Sequence, residues 1–254
     1  MVLAVDIGNT NVVIGCFEDE KIIFTERLST NREATVLEYI VTIKTVLEMN
    51  NLMQADFEGA VISSVVPSVT QTVKEAVYRL ILHDAMIVDA SLKTGLKICL
   101  DNPKQLGNDR IADAVAAAQY YPLPLIIVDM GTATTISVID KNKNFLGGII
   151  MPGLKVSLDS LVNRTSQLPT ISLEAPDKVI GTNTIDCMKS GIIYGTASTL
   201  SGVISRIEKE LGESCTVVST GGLAHTVVPY CEREIIMDDE LLLKGMMLLY
   251  RRNK

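Results

Sequence analysis

Two aspartates in this sequence each follow a short apolar run and precede a turn of small polar residues. The first is Asp6, which ends the apolar run at residues 2–5 and is followed by the turn sequence GNTN at residues 8–11. Glycine frees the backbone there, and short polar side chains suit a tight turn that approaches an anion closely. A carboxylate beside such a turn can hold hydrated Mg²⁺ while the N–H groups of the turn meet phosphate oxygens. The alternative is an ordinary hairpin turn with a solvated aspartate, since short motifs often match by chance.

A second copy of the pattern favours phosphate binding over the ordinary hairpin. Residues 125–140 (LIIVDMGTATTISVID) repeat the first stretch at a constant offset, which aligns Asp129 with Asp6 and Thr132 with Asn9. The match continues without a gap into the next polar turn, so each half is predicted to open with a three-strand meander. A repeat of this length predicts two similar domains, which we place at residues 1–115 and 116–254.

We call Asp6 and Asp129, each with the turn that follows it, the first and the second corner. The segments between and after the two corners have the patterns of alternating helices and strands. Helical spacing of apolar residues and turn signals predict an α/β fold. The predicted helices are residues 31–53, 70–82, 111–120, 154–162, 185–211 and 240–251, the further strands are residues 59–64, 86–88 and 216–220, and residues 163–183 are a polar loop.

The sequence GNDR at residues 107–110 places an acidic residue, Asp109, and a basic residue, Arg110, at the start of the alanine-rich helix. One interpretation makes Asp109 the N-cap of that helix, which is a common role for aspartate. Arg110 is harder to explain structurally, because a cation near a helix N-terminus opposes the helix dipole. An anionic partner held by Arg110 explains it better.

Composition excludes several classes of function. The chain has 254 residues, a formal charge of −7 and 47% hydrophobic residues, which argues against a nucleic-acid or anionic-membrane surface. Only two histidines and five scattered cysteines are present, so a zinc site or a histidine-based triad is not expected. No apolar run approaches the ~20 residues of a membrane span and no basic leader precedes the first strand, so we expect a cytoplasmic protein.

Taken together, four motifs resemble those of type III pantothenate kinases, in the sugar-kinase, heat-shock-ATPase and actin superfamily. The motifs are DIGNTN at residues 6–11, GNDR at 107–110, DMGTAT at 129–134 and GGIIMPG at 147–153, in that order over essentially the whole chain. The resemblance implies two duplicated ribonuclease-H-like (actin-like ATPase) domains with mixed central sheets. It also implies ATP-dependent phosphorylation of the 4'-hydroxyl of pantothenate, the first step of coenzyme A synthesis. It also implies a homodimer that requires Mg²⁺ and a monovalent cation, K⁺ or NH₄⁺.

The resemblance also implies roles for individual residues. Asp109 is the expected general base, and Asp6 serves the Mg²⁺–phosphate corner. Asp129 is the expected ligand of the monovalent cation, although its place in the repeat suits Mg²⁺ equally well. The expected ATP contacts are Asp6, Ile7, Gly8, Asn9, Thr10, Asn11, Val12, Val13 and Thr132, and the expected pantothenate contacts are Leu100, Gly107, Asn108, Asp109, Arg110 and, across the dimer interface, Thr184.

One position departs from the family pattern. Leu100 stands where an aromatic residue usually contacts the substrate, just upstream of an Asn-Pro pair. A kinase of the same fold with another small acceptor therefore stays an alternative. The other alternative is a non-catalytic accessory relative, whose sequence would be expected to lack Asp6 or Asp109; both residues are present.

Overall fold

The computed structural model describes residues 1–254 and confirms the predicted order of strands and helices. The strands are β1 Val2–Ile7, β2 Asn11–Glu18, β3 Lys21–Ser29, β4 Gly59–Ser64, β5 Ala85–Ile87, β6 Lys97–Ile98, β7 Leu125–Met130, β8 Ala133–Ile139, β9 Asn144–Pro152, β10 Thr216–Thr220 and β11 Ile236–Met237. The helices are α1 Val36–Met49, α2 Pro67–Ile81, α3 Asn108–Tyr120, α4 Leu154–Asn163, α5 Thr184–Leu211, α6 Ala224–Val227 and α7 Leu241–Asn253. None of them combines the length and the apolar character that crossing a bilayer requires.

The chain divides into two compact units that are interleaved along the sequence. The first unit comprises residues 1–96, 100–119 and 240–254, and the second comprises residues 97–99 and 120–239. The boundary that we placed between residues 115 and 116 stays a prediction. In the structure, α3 up to residue 119 and the whole of α7 group with the first sheet.

The first unit is built on a five-stranded sheet in the order β3-β2-β1-β4-β5. The predicted meander gives the antiparallel pairs β1–β2 and β2–β3, and β4 and β5 then extend the sheet parallel to β1. Alternate residues of β1 (Leu3, Val5 and Ile7) pack in one core with residues of α1 and α2. Asp6 points to the opposite face of the sheet, because side chains alternate along a strand.

Local signals explain where the helices of the first unit begin. Thr35 caps α1 through a capping box, in which its hydroxyl accepts from the N–H of Glu38 and the Glu38 carboxylate accepts from the N–H of Thr35. Pro67 occupies the first turn of α2, where its missing N–H is no loss. Gly245 of α7 has no side chain because a Cβ would lie 1.9 Å from the carbonyl oxygen of Ala112, so α3 and α7 pack backbone to backbone.

The second unit contains a six-stranded sheet in the order β11-β10-β7-β8-β9-β6. Its meander β7–β9 and its strand β10 were predicted, whereas the two-residue strands β6 and β11 were not. Residues of β7 such as Ile126 and Val128 pack against α5 residues including Ile193, Leu200 and Ile204. The predicted polar loop has no regular secondary structure over residues 164–183, and its first residue, Asn163, ends α4.

The two meanders are the same structure with two compensating differences in length. Asp6 pairs with Val13 across the first hairpin, whereas Asp129 pairs with Thr135, so the second corner is one residue shorter. The later turn is one residue longer: Glu18 pairs with Lys21 in the first meander, whereas Asp140 and Asn144 close the second turn. Our expectation of a gapless repeat is therefore wrong in this detail. The deletion and the insertion cancel, which keeps the sequence offset constant.

Candidate active site

The first candidate site is the corner at the end of β1. Asp6 is 9% exposed and pairs in parallel register with Ser63 of β4. The following turn is closed by a hydrogen bond from the Gly8 N–H to the Asn11 carbonyl (2.9 Å), and the Thr30 hydroxyl donates to the Gly8 carbonyl (2.7 Å). The turn is therefore held rigidly against the end of β3.

The flanks and the tip of this turn present different groups. The predicted ATP contacts Ile7 and Val12 have buried side chains, so only their backbone can face a nucleotide. Asn9 and Thr10 are exposed at the tip. The guanidinium of Arg32 donates to the Asn9 side-chain oxygen (2.8 Å), which brings a positive charge to the tip. No motif in the sequence pointed to Arg32.

The second corner repeats this design at the end of β7. The Gly131 N–H donates to the Ala133 carbonyl (3.0 Å), and the Gly153 N–H donates to the Thr132 carbonyl (3.1 Å). In the first corner the Thr30 N–H donates to the Thr10 carbonyl in the same way (2.9 Å). Thr132 is thus the structural counterpart of Thr10 and not of Asn9, and it is exposed at the tip.

Glycines surround the carboxylate of Asp129. A Cβ on Gly221, which has φ +92°, would lie 2.5 Å from Asp129 Oδ1, and a Cβ on Gly131 would lie 3.8 Å from the same atom. Gly153 is equally constrained, because a Cβ there would lie 2.4 Å from the Gly131 carbonyl oxygen. A side chain at Gly221 would therefore collide with this carboxylate and with the Met130 backbone, whereas a Cβ at Gly131 would lie at an ordinary van der Waals distance from it.

The start of α3 presents the predicted substrate-binding sequence. The Ile111 N–H donates to the Gly107 carbonyl (3.1 Å), so the helix begins at Asn108 and not at residue 111. The side-chain amide of Asn108 donates to the Ser64 carbonyl (3.0 Å), which ties the helix start to the end of β4. The N-cap interpretation of Asp109 is wrong, because Asp109 lies inside the first turn.

The Asp109 carboxylate is partly buried and crowded by backbone. Its Oδ1 accepts from the Arg110 N–H (2.7 Å), and a Cβ on Gly107 would lie 2.5 Å from that oxygen. Burial raises the pKa of Asp109 above its ordinary value, although the hydrogen bond from the Arg110 N–H and the Arg110 charge act in the opposite direction. A carboxylate with a raised pKa is a better proton acceptor than an ordinary aspartate.

Arg110 is also partly buried, next to two acids. Burial lowers the pKa of its guanidinium, and the charges of Asp109 and Asp113 oppose this shift. Asp113 is only 3% exposed and lies three residues further along α3, on the same side of the helix. The arrangement places a guanidinium and a carboxylate together at the helix start, where a polar acceptor with its own negative charge can bind.

The two remaining predicted substrate contacts lie elsewhere. Leu100 is half-buried just after β6. Thr184 is the exposed first residue of α5, whose N-cap Asn183 accepts from the Asp186 N–H (2.9 Å). Thr184 lines an open groove of about 750 Å³ in the second unit, together with Leu161, Gly181, Cys187, Met188 and Ile192.

Carboxylates in this chain are not gathered into a metal cage. No group of three or more His, Cys, Asp or Glu side chains is placed to hold a metal ion. A lone carboxylate such as Asp6 nevertheless fits Mg²⁺, because Mg²⁺ usually keeps several waters and takes its other ligands from substrate phosphates. Asp129 likewise offers a hard oxygen beside the partly exposed Gly131 and Gly221.

Comparison with known proteins identifies the family. The pattern of the family described as type III pantothenate kinase matches residues 2–206. A type III pantothenate kinase of Halalkalibacterium halodurans is 42% identical over 253 residues and covers 100% of both chains, and one of Listeria monocytogenes serotype 4a is 39% identical and covers 100% of this chain and 98% of its own. The chain belongs to the type III pantothenate kinase family. Membership confirms the resemblance seen in the four motifs and the classification as a kinase.

Solved structures confirm the predicted fold class. A protein from Campylobacter jejuni described as a Baf family transcriptional activator superimposes with a TM-score of 0.61 at 20% identity, covering 98% of this chain and 97% of its own. A glucokinase of the ROK family from Streptomyces griseus gives a TM-score of 0.54 at 13% identity, with coverages of 98% and 99%. At these identities the likeness concerns the fold alone. This type III pantothenate kinase family member therefore shares the fold of these two proteins, with two mixed α/β sheets.

Proposed function

We propose that this protein transfers the terminal phosphoryl group of ATP to the 4'-hydroxyl of pantothenate, the first step of coenzyme A biosynthesis. The observation that carries the proposal is the start of α3, where a partly buried carboxylate of raised pKa lies beside a partly buried guanidinium. Full-length identity of about 40% to type III pantothenate kinases supports the same acceptor.

In this proposal the start of α3 binds and activates the acceptor. Pantothenate carries a carboxylate, for which the fixed fork of Arg110 offers paired donors. Gly107 and Asn108 line the same turn, and Asn108 is held by its bond to the Ser64 carbonyl. Asp109 accepts the proton of the 4'-hydroxyl late, as the new bond to phosphorus forms, because a primary alcohol is a weak acid.

The first corner holds the phosphates. Residues 8–11 turn tightly and expose Asn9 and Thr10, and Arg32 adds a positive charge at the tip. Asp6 is the residue that would hold Mg²⁺, which neutralises the charge that develops on the transferred phosphoryl group. Because phosphoryl transfer depends on positioning, a rigid turn suits this role.

In the second unit, Thr132 contacts ATP and Asp129 binds the monovalent cation. The carboxylate of Asp129, with Gly131 and Gly221 beside it, supplies the oxygen ligands that K⁺ or NH₄⁺ would need. The geometry of this corner suits Mg²⁺ equally well, so the cation dependence has to be measured.

We further propose a homodimer in which Thr184 reaches the pantothenate bound to the partner. The surface around the groove at Thr184 supports a second copy as its occupant, because Val179, Ile180 and Ile185 are exposed there and Ile180 is 82% exposed. Sedimentation tests this: Ile180→Asp should convert a dimer to a monomer, whereas Val41→Asp, at an exposed position of α1, should not.

The acidic chain supports a cytoplasmic enzyme without nucleic-acid or membrane partners. The deciding experiment measures ATP-to-ADP turnover with Mg²⁺ and K⁺, with and without pantothenate, and then with Na⁺ in place of K⁺. Turnover that depends on pantothenate, with 4'-phosphopantothenate as the product, is the expected result. A folded protein that binds ATP but does not phosphorylate pantothenate would contradict the proposal. It would favour the alternative of a kinase with another small acceptor, which Leu100 leaves open.

A further inference from the structure

Ser63 carries a hydroxyl that the folded protein does not use. The residue lies on β4 and is fully buried, and its Oγ has no hydrogen-bond partner. Buried hydroxyls are nearly always hydrogen-bonded, because an unpaired one destabilises the folded state. A hydroxyl at such a position calls for an explanation beyond the contacts of the folded chain.

The position of Ser63 relates it to the first corner. Ser63 pairs with Asp6 in the parallel register of β4 and β1, and adjacent strands lie about 4.8 Å apart. The neighbouring residues Ile7 and Ile62 both point to the core beneath α1 and α2. Ser63 and Asp6 alternate with them and therefore share the opposite face of the sheet, with the buried hydroxyl beside a carboxylate that is 9% exposed.

The second unit repeats the pairing. Thr220 of β10 is the register partner of Asp129, as Ser63 is of Asp6. Both copies thus place a hydroxyl next to the corner aspartate. Ser219, the residue before Thr220, is a useful contrast, because its buried hydroxyl donates to the Val128 carbonyl (3.1 Å) and is an ordinary satisfied group.

We propose that Ser63 is a positioning residue of the phosphate corner. When Mg²⁺-bound nucleotide occupies the corner, the Ser63 hydroxyl donates a hydrogen bond to the Asp6 carboxylate and fixes its orientation. The inference rests on the proposed role of Asp6. It accounts for a buried hydroxyl that has no hydrogen-bond partner within the folded chain.

The first test measures stability in the absence of nucleotide. Ser63→Ala removes an unpaired hydroxyl, so its thermal unfolding midpoint should equal or exceed that of the unsubstituted protein. Ser219→Ala is the matched control, because Ser219 is also a fully buried strand residue but its hydroxyl has a hydrogen-bond partner. This substitution should lower the midpoint. If Ser63→Ala lowers the midpoint as much as Ser219→Ala does, the hydroxyl has a structural partner and the proposal is wrong.

The second test measures nucleotide binding by calorimetry without pantothenate. Ser63→Ala should weaken binding of MgATP by about tenfold, the effect of losing a hydrogen bond to a charged group. It should leave binding of ATP in the absence of Mg²⁺ unchanged, and Ser63→Thr should restore the affinity, because threonine occupies the equivalent place at Thr220. Unchanged MgATP affinity, an equal loss without Mg²⁺, or a folded Ser63→Thr variant that stays weak would each overturn the proposal.

These outcomes are separate from the proposed function. If the unsubstituted protein binds MgATP but does not phosphorylate pantothenate, the acceptor assignment fails. The difference between the Ser63→Ala and Ser63→Thr variants in MgATP affinity remains measurable in that case. Failure of the Ser63 proposal alone would appear as normal pantothenate turnover in a Ser63→Ala variant with unchanged MgATP affinity.

Discussion

Replacing Asp109 by asparagine changes one charge and almost no volume at the start of α3. Asparagine keeps an oxygen that can accept the Arg110 N–H at 2.7 Å, so the local helix geometry should persist. What is lost is the proton acceptor that we propose for the 4'-hydroxyl. General-base assistance is worth ~10²- to 10⁴-fold in rate. At 1.36 kcal/mol for each factor of ten, this corresponds to roughly 2.7–5.4 kcal/mol of transition-state stabilisation.

Stability should move in the opposite direction from activity. Burial raises the pKa of Asp109 in the folded state, so ionising this carboxyl opposes folding. The unsubstituted protein therefore loses stability relative to the Asp109→Asn variant as the pH rises. The loss begins near 3.8, the ordinary pKa of aspartate, and is complete above the raised pKa of Asp109 in the folded state. Below that window both forms are neutral at this position and should be equally stable. At neutral pH the variant should be at least as stable as the unsubstituted protein.

The assay pairs turnover with unfolding. The turnover number with saturating ATP and pantothenate should fall by the factor above, and Asp84→Asn, which changes an exposed carboxylate of the same unit, should leave it unchanged. The acidic limb of kcat/KM should lie at higher pH than for an ordinary aspartate. An Asp109→Asn variant with normal turnover would remove Asp109 from the mechanism. A variant less stable than the unsubstituted protein at neutral pH would refute the argument about burial.

Three further substitutions test the other parts of the site, and a fourth, at Gly195, is a control for the glycine argument. Arg110→Ala should raise the KM for pantothenate by about 10- to 100-fold, with a smaller effect on the KM for ATP, because a charge-assisted hydrogen bond to the acceptor is lost. Asp129→Ala should abolish activation by K⁺, and a rate that still rises normally with K⁺ would contradict its assignment. Gly221→Ala should destabilise the protein by about 1–3 kcal/mol in urea unfolding, because a Cβ there meets Asp129 and φ is +92°. Gly195→Ala, where nothing lies within 4 Å of the new Cβ in the middle of α5, should stabilise it by about 0.5–1 kcal/mol.

Local patterns in the sequence were sufficient to predict the elements that present the site. The apolar runs before Asp6 and Asp129 predicted β1 and β7, and the helical period predicted α1, α2 and α5 within a few residues. These signals are local, because a buried strand or an amphipathic helix needs its apolar spacing wherever it packs. The two-residue strands β6 and β11 have no such period, and they exist only because a neighbouring strand is there to pair with them.

The hydrogen bonds and exact positions of the site residues likewise could not be predicted from local patterns. The sequence placed Asp109 and Arg110 near a helix start, whereas in the structure α3 begins earlier, at Asn108, and Asp109 lies within its first turn. It also placed Ser63 at the end of a strand. Whether that hydroxyl is satisfied depends on which backbone and side-chain groups the folded chain brings to it, and a sequence does not contain those distances.

The sequence repeat and the hydrogen bonds of the two corners give different residue correspondences. A constant offset equated Thr132 with Asn9, whereas the hydrogen bonds from Gly153 and Thr30 equate Thr132 with Thr10. If Thr10 and Thr132 make equivalent contacts with the nucleotide, Thr10→Ala and Thr132→Ala should weaken ATP binding by similar factors. Asn9 has no counterpart in the second corner, and its side-chain oxygen is already bonded to Arg32. Asn9→Ala should therefore act mainly by releasing Arg32, and the double substitution with Arg32→Ala should weaken ATP binding no more than Arg32→Ala alone.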